Sequence, residues 1–201
     1  MGDNALFFYG KTQIPPSTLM APQILHRVIH GQADPEPWQK AMLSFQPAIL
    51  HGYRRHRVRG VSYPGIVRVA NTDAKTGSQS SVLGILVTGL TDGDIYRLDK
   101  FEGSEYTHRK VTVRTLPMGK GDEVQPGKTK VTSNNGDEEH LKEALNAASA
   151  GNTSSSGGEE VEATTYEWIA GMDRLEETEW DFETFKKENL AWWVGADESE
   201  W

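Results

Sequence analysis

The chain has 201 residues, enough for one domain with a sizeable core, yet 36% hydrophobic content and a mean hydropathy of −0.59 imply that part of its length is solvated. Lys and Arg number 21 against 29 Asp and Glu, a formal charge of −8, which argues against nucleic acid as a partner because a phosphate backbone needs a basic footprint. With no cysteine, disulfides, thiolate catalysis and Cys–zinc sites are excluded, and no apolar run approaches the roughly 18 residues of a membrane span, so no membrane partner is expected.

Residues 5–9 form a short apolar run that ends at Gly10 and predicts a first, buried strand. No basic region precedes it, so a secretory signal is not expected and the protein is placed in the cytoplasm, with the nucleus left open. Residues 22–29 put Ile24, Leu25, Val28 and Ile29 on one helical face, with Pro22 at the first helical position and Gly31 at the stop. Residues 46–69 hold two strand candidates, "AILHGYRRHRV" and "VSYPGIVRV". The basic run Arg54 to Arg59 inside the first is read as the solvated face of a strand. Residues 81–88 are a β-branched strand. Asp92 or Asp94 is predicted to cap a short helix that runs to Phe101 or Glu102 and stops at Gly103. Residues 106–116 alternate polar and apolar side chains as the next strand.

From about residue 117 to 160 the composition turns to Gly, Ser, Asn and acidic residues, around one helical stretch, "DEEHLKEALNAAS". This segment is predicted as a solvated, largely disordered insertion. Strand texture returns over residues 162–171, and Phe182, Phe185, Asn189 and Trp193 follow helical spacing as a packing face. Helices scattered among strands without strict βαβ alternation predict an α+β fold, a curled sheet or small barrel, in a single domain over residues 5–195.

Several familiar motifs fail on inspection. Gly10-Lys11-Thr12 and Gly127-Lys128-Thr129 look like the tail of a phosphate loop, but Ala5 and Asp122 stand where the loop requires its first glycine. His26 and His30 are four residues apart on a predicted helix without the acidic residue of a zinc peptidase, so they are read as satisfied or solvent-facing histidines. No serine sits in a nucleophile elbow.

The informative stretch is residues 94–109. If residues 95–102 are helical, Ile95, Leu98 and Glu102 stand on one face, with Arg97 and Lys100 pointing elsewhere. A carboxylate then occupies the last place on an apolar stripe, just before the glycine that ends the helix. Desolvation and the negative end of the helix dipole both disfavour its anion, and a raised pKa suits a general base working near neutrality. Two readings stand side by side: such a base, or a carboxylate that ties down Tyr106 or a strand backbone.

The segments "FFYG…TLMAP", "GYRRHRVRGVSYPGIV", "VLGILVTGLTDGDIYRLDKFEGSEYTHRKVTV" and "TYEWIAG…LEETEWDFETF" together resemble the gamma-glutamylcyclotransferase-like superfamily, in its avirulence-induced branch of plants and fungi. The resemblance covers nearly everything except residues 11–17 and the insertion. It implies a small mixed β-barrel with flanking helices and conversion of a small-molecule γ-glutamyl substrate into 5-oxoproline and a freed amine. The substrate's own α-amine attacks its γ-carbonyl in that reaction, so no cofactor is implied. The family's catalytic glutamate matches Glu102, and Asp99 and Glu105 are weaker candidates. The family's substrate-binding turn matches Tyr9 and Gly10, then Thr18, Leu19 and Met20, with backbone amides suited to an anionic substrate end.

Here the chain departs from the family pattern, because residues 11–17 ("KTQIPPS") split that turn. A loop that bulges outward leaves Gly10 and Thr18 close; one that displaces the amides leaves the fold without the activity. Deleting the seven residues joins the halves without a seam, as an unusual splice would. The alternative to an enzyme is an inactive family member that binds a small ligand or a protein. A weaker alternative is an acyl transfer that removes a γ-glutamyl group from a protein or secondary metabolite.

Overall fold

A computed structural model of the chain describes residues 2–9, 22–61, 63–69, 80–116 and 158–179. The apolar run near the N-terminus forms β1 (Asn4–Tyr9), and its lack of alternation has a direct cause: both faces are covered. Phe7 points into a barrel interior, while Leu6 and Phe8 point outward beneath helices.

That barrel closes in the order β1, β5 (Ser81–Leu90), β2 (Ser44–His51), β6 (Tyr106–Thr115) and β7 (Glu160–Trp168). β7 returns to β1 in parallel, with Leu6 opposite Thr164, whereas the other pairings are antiparallel. The architecture is the α+β, mixed β-barrel with flanking helices that the resemblance implied. The interior is filled by Phe7, Ala48, Leu50, Val82, Leu86, Val111, Val113 and Ala163. On the outer face, Ile24, Leu25 and Ile29 of α1 (Pro22–His30) and Leu98 of α3 (Asp92–Glu102) cover Leu6, Phe8, Ile85 and Val87. A short helix, α2 (Pro37–Lys40), leads into β2.

A second sheet of three strands, in the order β4 (Pro64–Arg68), β3 (Tyr53–Val58) and β8 (Leu175–Glu179), sits beside the barrel. Tyr53 and Ile66 pack with the residues of the barrel interior, so this sheet shares that core. The first strand candidate of residues 48–58 is therefore two strands, because the chain turns at Gly52 out of the barrel and into the second sheet. The basic run is not wholly solvated either. The Arg55 guanidinium donates from Nη2 to the Leu83 carbonyl at 2.7 Å, and Arg57 faces Glu176 of β8 at 4.0 Å. β8 was not among the predicted elements.

The α1 histidines also differ from expectation. His26 is buried, at 4% exposure, with no hydrogen-bond partner for Nδ1, and stacks on His30 with ring centroids 5.4 Å apart. The helix turns it toward Phe45, at 6.0 Å, and neither a polar partner nor solvent reaches its Nδ1. The loop at 11–17, the insertion up to residue 157 and the aromatic set Phe182, Phe185, Asn189 and Trp193 lie outside the described residues.

Candidate functional site

The helix that carries Glu102 is set by its sequence at both ends. Thr91, not Asp92 or Asp94, is the N-cap: its hydroxyl accepts from the Asp94 N–H at 3.2 Å, and the Asp94 carboxylate accepts from the Thr91 N–H at 2.9 Å. Asp94 thus closes a capping box as the third helical residue, and its charge suits the positive end of the dipole. Leu98 is fully buried, with Ile95 packed beside it. The helix stops at Gly103, whose φ of 79° lies in the left-handed region that a side chain resists and whose N–H donates to the Asp99 carbonyl at 3.0 Å.

α3 runs alongside β1. The Asn4 amide at the start of β1 donates to the Leu90 carbonyl at 3.2 Å and to the Asp92 carboxylate at 3.0 Å, which anchors the helix start there. From Asp92 the helix rises about 15 Å to Glu102, and β1 advances about 16 Å from Asn4 to Tyr9. Matching lengths bring Glu102 to the barrel end at which β1 finishes.

Glu102 is half-buried there among four phenols. Burial raises the pKa of Tyr9, Tyr63, Tyr106 and Tyr166, and the Glu102 charge adds to it, directly after burial at Tyr106, after Tyr106 at Tyr9, and as the smallest effect, behind Glu105 at Tyr63 and Asp99 at Tyr166. All four hydroxyls therefore stay protonated across the physiological range, and each proton has a protein acceptor. Tyr9 donates to the Tyr166 carbonyl, and Tyr106 to the Pro64 carbonyl at 3.2 Å. Tyr63 donates to the Glu105 carboxylate at 2.7 Å, and Tyr166 to Asp99 at 2.8 Å. The four rings act as fixed walls around Glu102, with their donors already committed.

The two neighbouring carboxylates are held by similar pairs of partners. Asp99, one turn before Glu102, takes the Tyr166 hydroxyl and meets His108 Nε2 at 2.7 Å. His108 in turn packs edge-on against Tyr166, with centroids 5.0 Å apart. Glu105, beyond the helix stop, takes the Tyr63 hydroxyl and the Arg174 guanidinium, and that guanidinium lies 5.2 Å over the Trp168 ring. Each neighbour thus has one phenol and one basic group.

Of the residues predicted for the site, Glu102 and Tyr9 come together at one barrel end. Gly10, Thr18, Leu19 and Met20 lie outside the described residues. Tyr63, Tyr166, His108 and Arg174 were not predicted. Tyr63 and Tyr166 sit inside segments that carried the resemblance, and a tyrosine within an apolar strand is the signal that could have found them, since its hydroxyl must find a partner when buried. Among the described residues, no group of three or more His, Asp or Glu side chains could hold a metal ion.

Comparison with known proteins agrees with this architecture. A family model described as gamma-glutamyl cyclotransferase, AIG2-like, matches residues 6–142. Protein AIG2 C of Arabidopsis thaliana is 33% identical over 79 residues, which are 39% of this chain and 42% of that protein. Protein AIG2 B of the same plant is 37% identical over 67 residues, 33% of this chain and 35% of its own length. The chain thus spans less than half the length of the curated relatives it matches. A solution structure of another Arabidopsis thaliana protein shares the fold with a TM-score of 0.50 and 22% identity, over 95% of this chain and 77% of that one. The chain belongs to the gamma-glutamyl cyclotransferase, AIG2-like family.

Proposed function

We propose that the protein is a γ-glutamylcyclotransferase that releases 5-oxoproline and an amine from a small γ-glutamyl compound, with Glu102 as the general acid and base. The observation that carries this reading is the placement of Glu102 at the end of its helix, at the barrel end where Tyr9, Tyr63, Tyr106 and Tyr166 gather. Family membership supplies the reaction class.

Glu102 takes a proton from the substrate α-ammonium, and the freed amine attacks the γ-carbonyl carbon. A C–N bond closes the five-membered lactam and the bond from that carbon to the leaving nitrogen breaks; Glu102 relays the first proton to the leaving nitrogen and then the second proton that the ring nitrogen sheds on closure, so the amine departs as an ammonium. Atoms and charge balance without water or a cofactor. The tetrahedral oxygen that forms on the way needs hydrogen-bond donors. Because the four phenol protons already point at protein acceptors, we assign that role, and the binding of the γ-glutamyl end, to backbone amides of the turn formed by Tyr9, Gly10, Thr18, Leu19 and Met20. Tyr9, the last residue of β1, stands beside Glu102.

Among the described residues no helix is long and apolar enough to cross a membrane. The test of the reading is a panel of γ-glutamyl amines and dipeptides incubated with the full chain and with a variant lacking residues 11–17. Equal amounts of 5-oxoproline and free amine are expected from the full chain. Release of glutamate in place of 5-oxoproline would overturn the cyclisation, and turnover by the shortened variant alone would make the full chain an inactive family member.

A further inference from the structure

The end of a γ-glutamyl compound that cyclises is a zwitterion, with an α-ammonium and an α-carboxylate on the same carbon. The ammonium is the group assigned to Glu102. The carboxylate takes no part in the bond changes and stays charged on the 5-oxoproline product, so substrate and product alike call for a cation near Glu102.

Basic side chains reach this barrel end from several elements. His108 of β6 meets Asp99, and Arg174 pairs with Glu105, so both serve carboxylates of the chain itself. Arg55 arrives from the second sheet. It stands directly across from Ile66 in the β3–β4 ladder, which puts both side chains on the face where Tyr53 and Ile66 pack with the residues of the barrel interior. From there the half-buried Arg55 crosses to β5, where Nη2 donates to the Leu83 carbonyl at 2.7 Å.

That bond fixes the guanidinium where β1 ends. Gly84, the residue after Leu83, is the ladder partner of Tyr9, so Leu83 lies one residue, about 3.4 Å along β5, past the last pair of the β1–β5 ladder. Tyr9 meets the same corner through its hydroxyl, which accepts from the Ile66 N–H. Burial, then Tyr106 and Glu102, raise the pKa of that hydroxyl, while the Ile66 N–H and the Arg55 charge oppose them. One phenol is thus within the field of both Glu102 and Arg55, a carboxylate and a guanidinium set against the two charges of one zwitterion. The planar fork of a guanidinium also matches a carboxylate in shape.

We infer that Arg55 binds the α-carboxylate of the γ-glutamyl substrate and of its 5-oxoproline product, at the Tyr9 end of β1, while Glu102 receives the α-ammonium. The inference rests on the cyclotransferase reading for the identity of the ligand. It adds a requirement for a free α-carboxylate, which the cyclisation chemistry alone does not impose.

The test pairs turnover with binding. KM and kcat are measured for the native protein, Arg55→Gln and Arg55→Lys on the γ-glutamyl compound turned over fastest, and on the same compound carrying an α-carboxamide. Arg55→Gln should raise KM about 10- to 100-fold with kcat within about threefold of native, as the loss of a charged, forked hydrogen bond requires. Arg55→Lys keeps the charge without the fork and should fall between. The carboxamide should be a poor substrate of the native protein and no poorer for Arg55→Gln. Because that comparison needs no variant, it holds even where Arg55→Gln does not fold. Binding is read by ¹H–¹⁵N chemical-shift titration of the full chain with 5-oxoproline and with its carboxamide. Saturable shifts are expected at the amides of Tyr9, Ile66 and Leu83 with 5-oxoproline, weakened about tenfold or more by Arg55→Gln or by the carboxamide. Such binding without turnover would strike the cyclotransferase reading and leave Arg55 assigned. An unchanged KM in Arg55→Gln, equal affinity for 5-oxoproline and its carboxamide, or no saturable shift up to about 50 mM would overturn the inference, whether or not 5-oxoproline is released.

Discussion

Lowering the pH from about 7.5 to about 5 should remove about 2 kcal/mol of folding stability through one side chain, His26. Burial, then the neighbouring His30 and Lys40, push its pKa down from 6.5 to about 4, against a small opposing effect of Asp34. The folded state therefore holds His26 neutral where the unfolded chain protonates it. Above the unfolded pKa both states are neutral and the group has no effect. As pH falls below 6.5 only the unfolded chain gains the proton, so stability is lost progressively until the folded pKa is reached. A gap of about 2.5 units corresponds to about 3 kcal/mol in full, of which about 2 kcal/mol has been lost by about pH 5. The assay is urea unfolding of the native protein and of His26→Phe at both pH values. Phenylalanine keeps the edge contact to Phe45 and removes the proton site. The native protein should lose about 2 kcal/mol more than the variant across this window. Equal losses in the two proteins would refute the buried, neutral His26. α1 packs against α3, so the same titration loosens support for the helix that carries Glu102.

Other substitutions test other joints of the structure. Leu98→Ala removes a fully buried side chain from beneath α3 and should cost about 2–5 kcal/mol in urea unfolding. Gly103→Ala forces a side chain onto a φ of 79° and should cost about 1–2 kcal/mol, read as a lowered Tm. Asp99→Asn removes the charge facing His108 but still accepts the Tyr166 hydroxyl; since that contact is half-exposed, kcat/KM for 5-oxoproline release should fall less than about tenfold.

The part of the site carried by one helix was legible in the sequence because local rules govern it. The spacing of Ile95, Leu98 and Glu102 and the stop at Gly103 follow from helical period and backbone conformation alone. The N-cap, expected at Asp92 or Asp94, lies at Thr91 because Thr91 and the aspartates after it compete for the same role, and only the reciprocal bonds with Asp94 separate them. The barrel itself was legible as strands without βαβ alternation, but its second sheet was not. β8 reads "LEETE", with a single apolar side chain, and owes its strand to pairing with β3. The division at Gly52 was missed for a related reason, since the residues on both sides have strand character and differ only in which sheet they join. The tyrosine walls were beyond local reasoning. Tyr9, Tyr63 and Tyr166 come from β1, the approach to β4, and β7, and nothing in their spacing announces that they meet at Glu102.

The most direct test of the account is the rate of 5-oxoproline release by Glu102→Gln relative to the native protein, on whichever γ-glutamyl compound the native protein turns over fastest. Glutamine keeps the shape and removes the proton carrier, so kcat/KM should fall about 10²- to 10⁴-fold while Tm stays near the native value. A variant that retains activity within about tenfold of native would contradict Glu102 as the general acid and base.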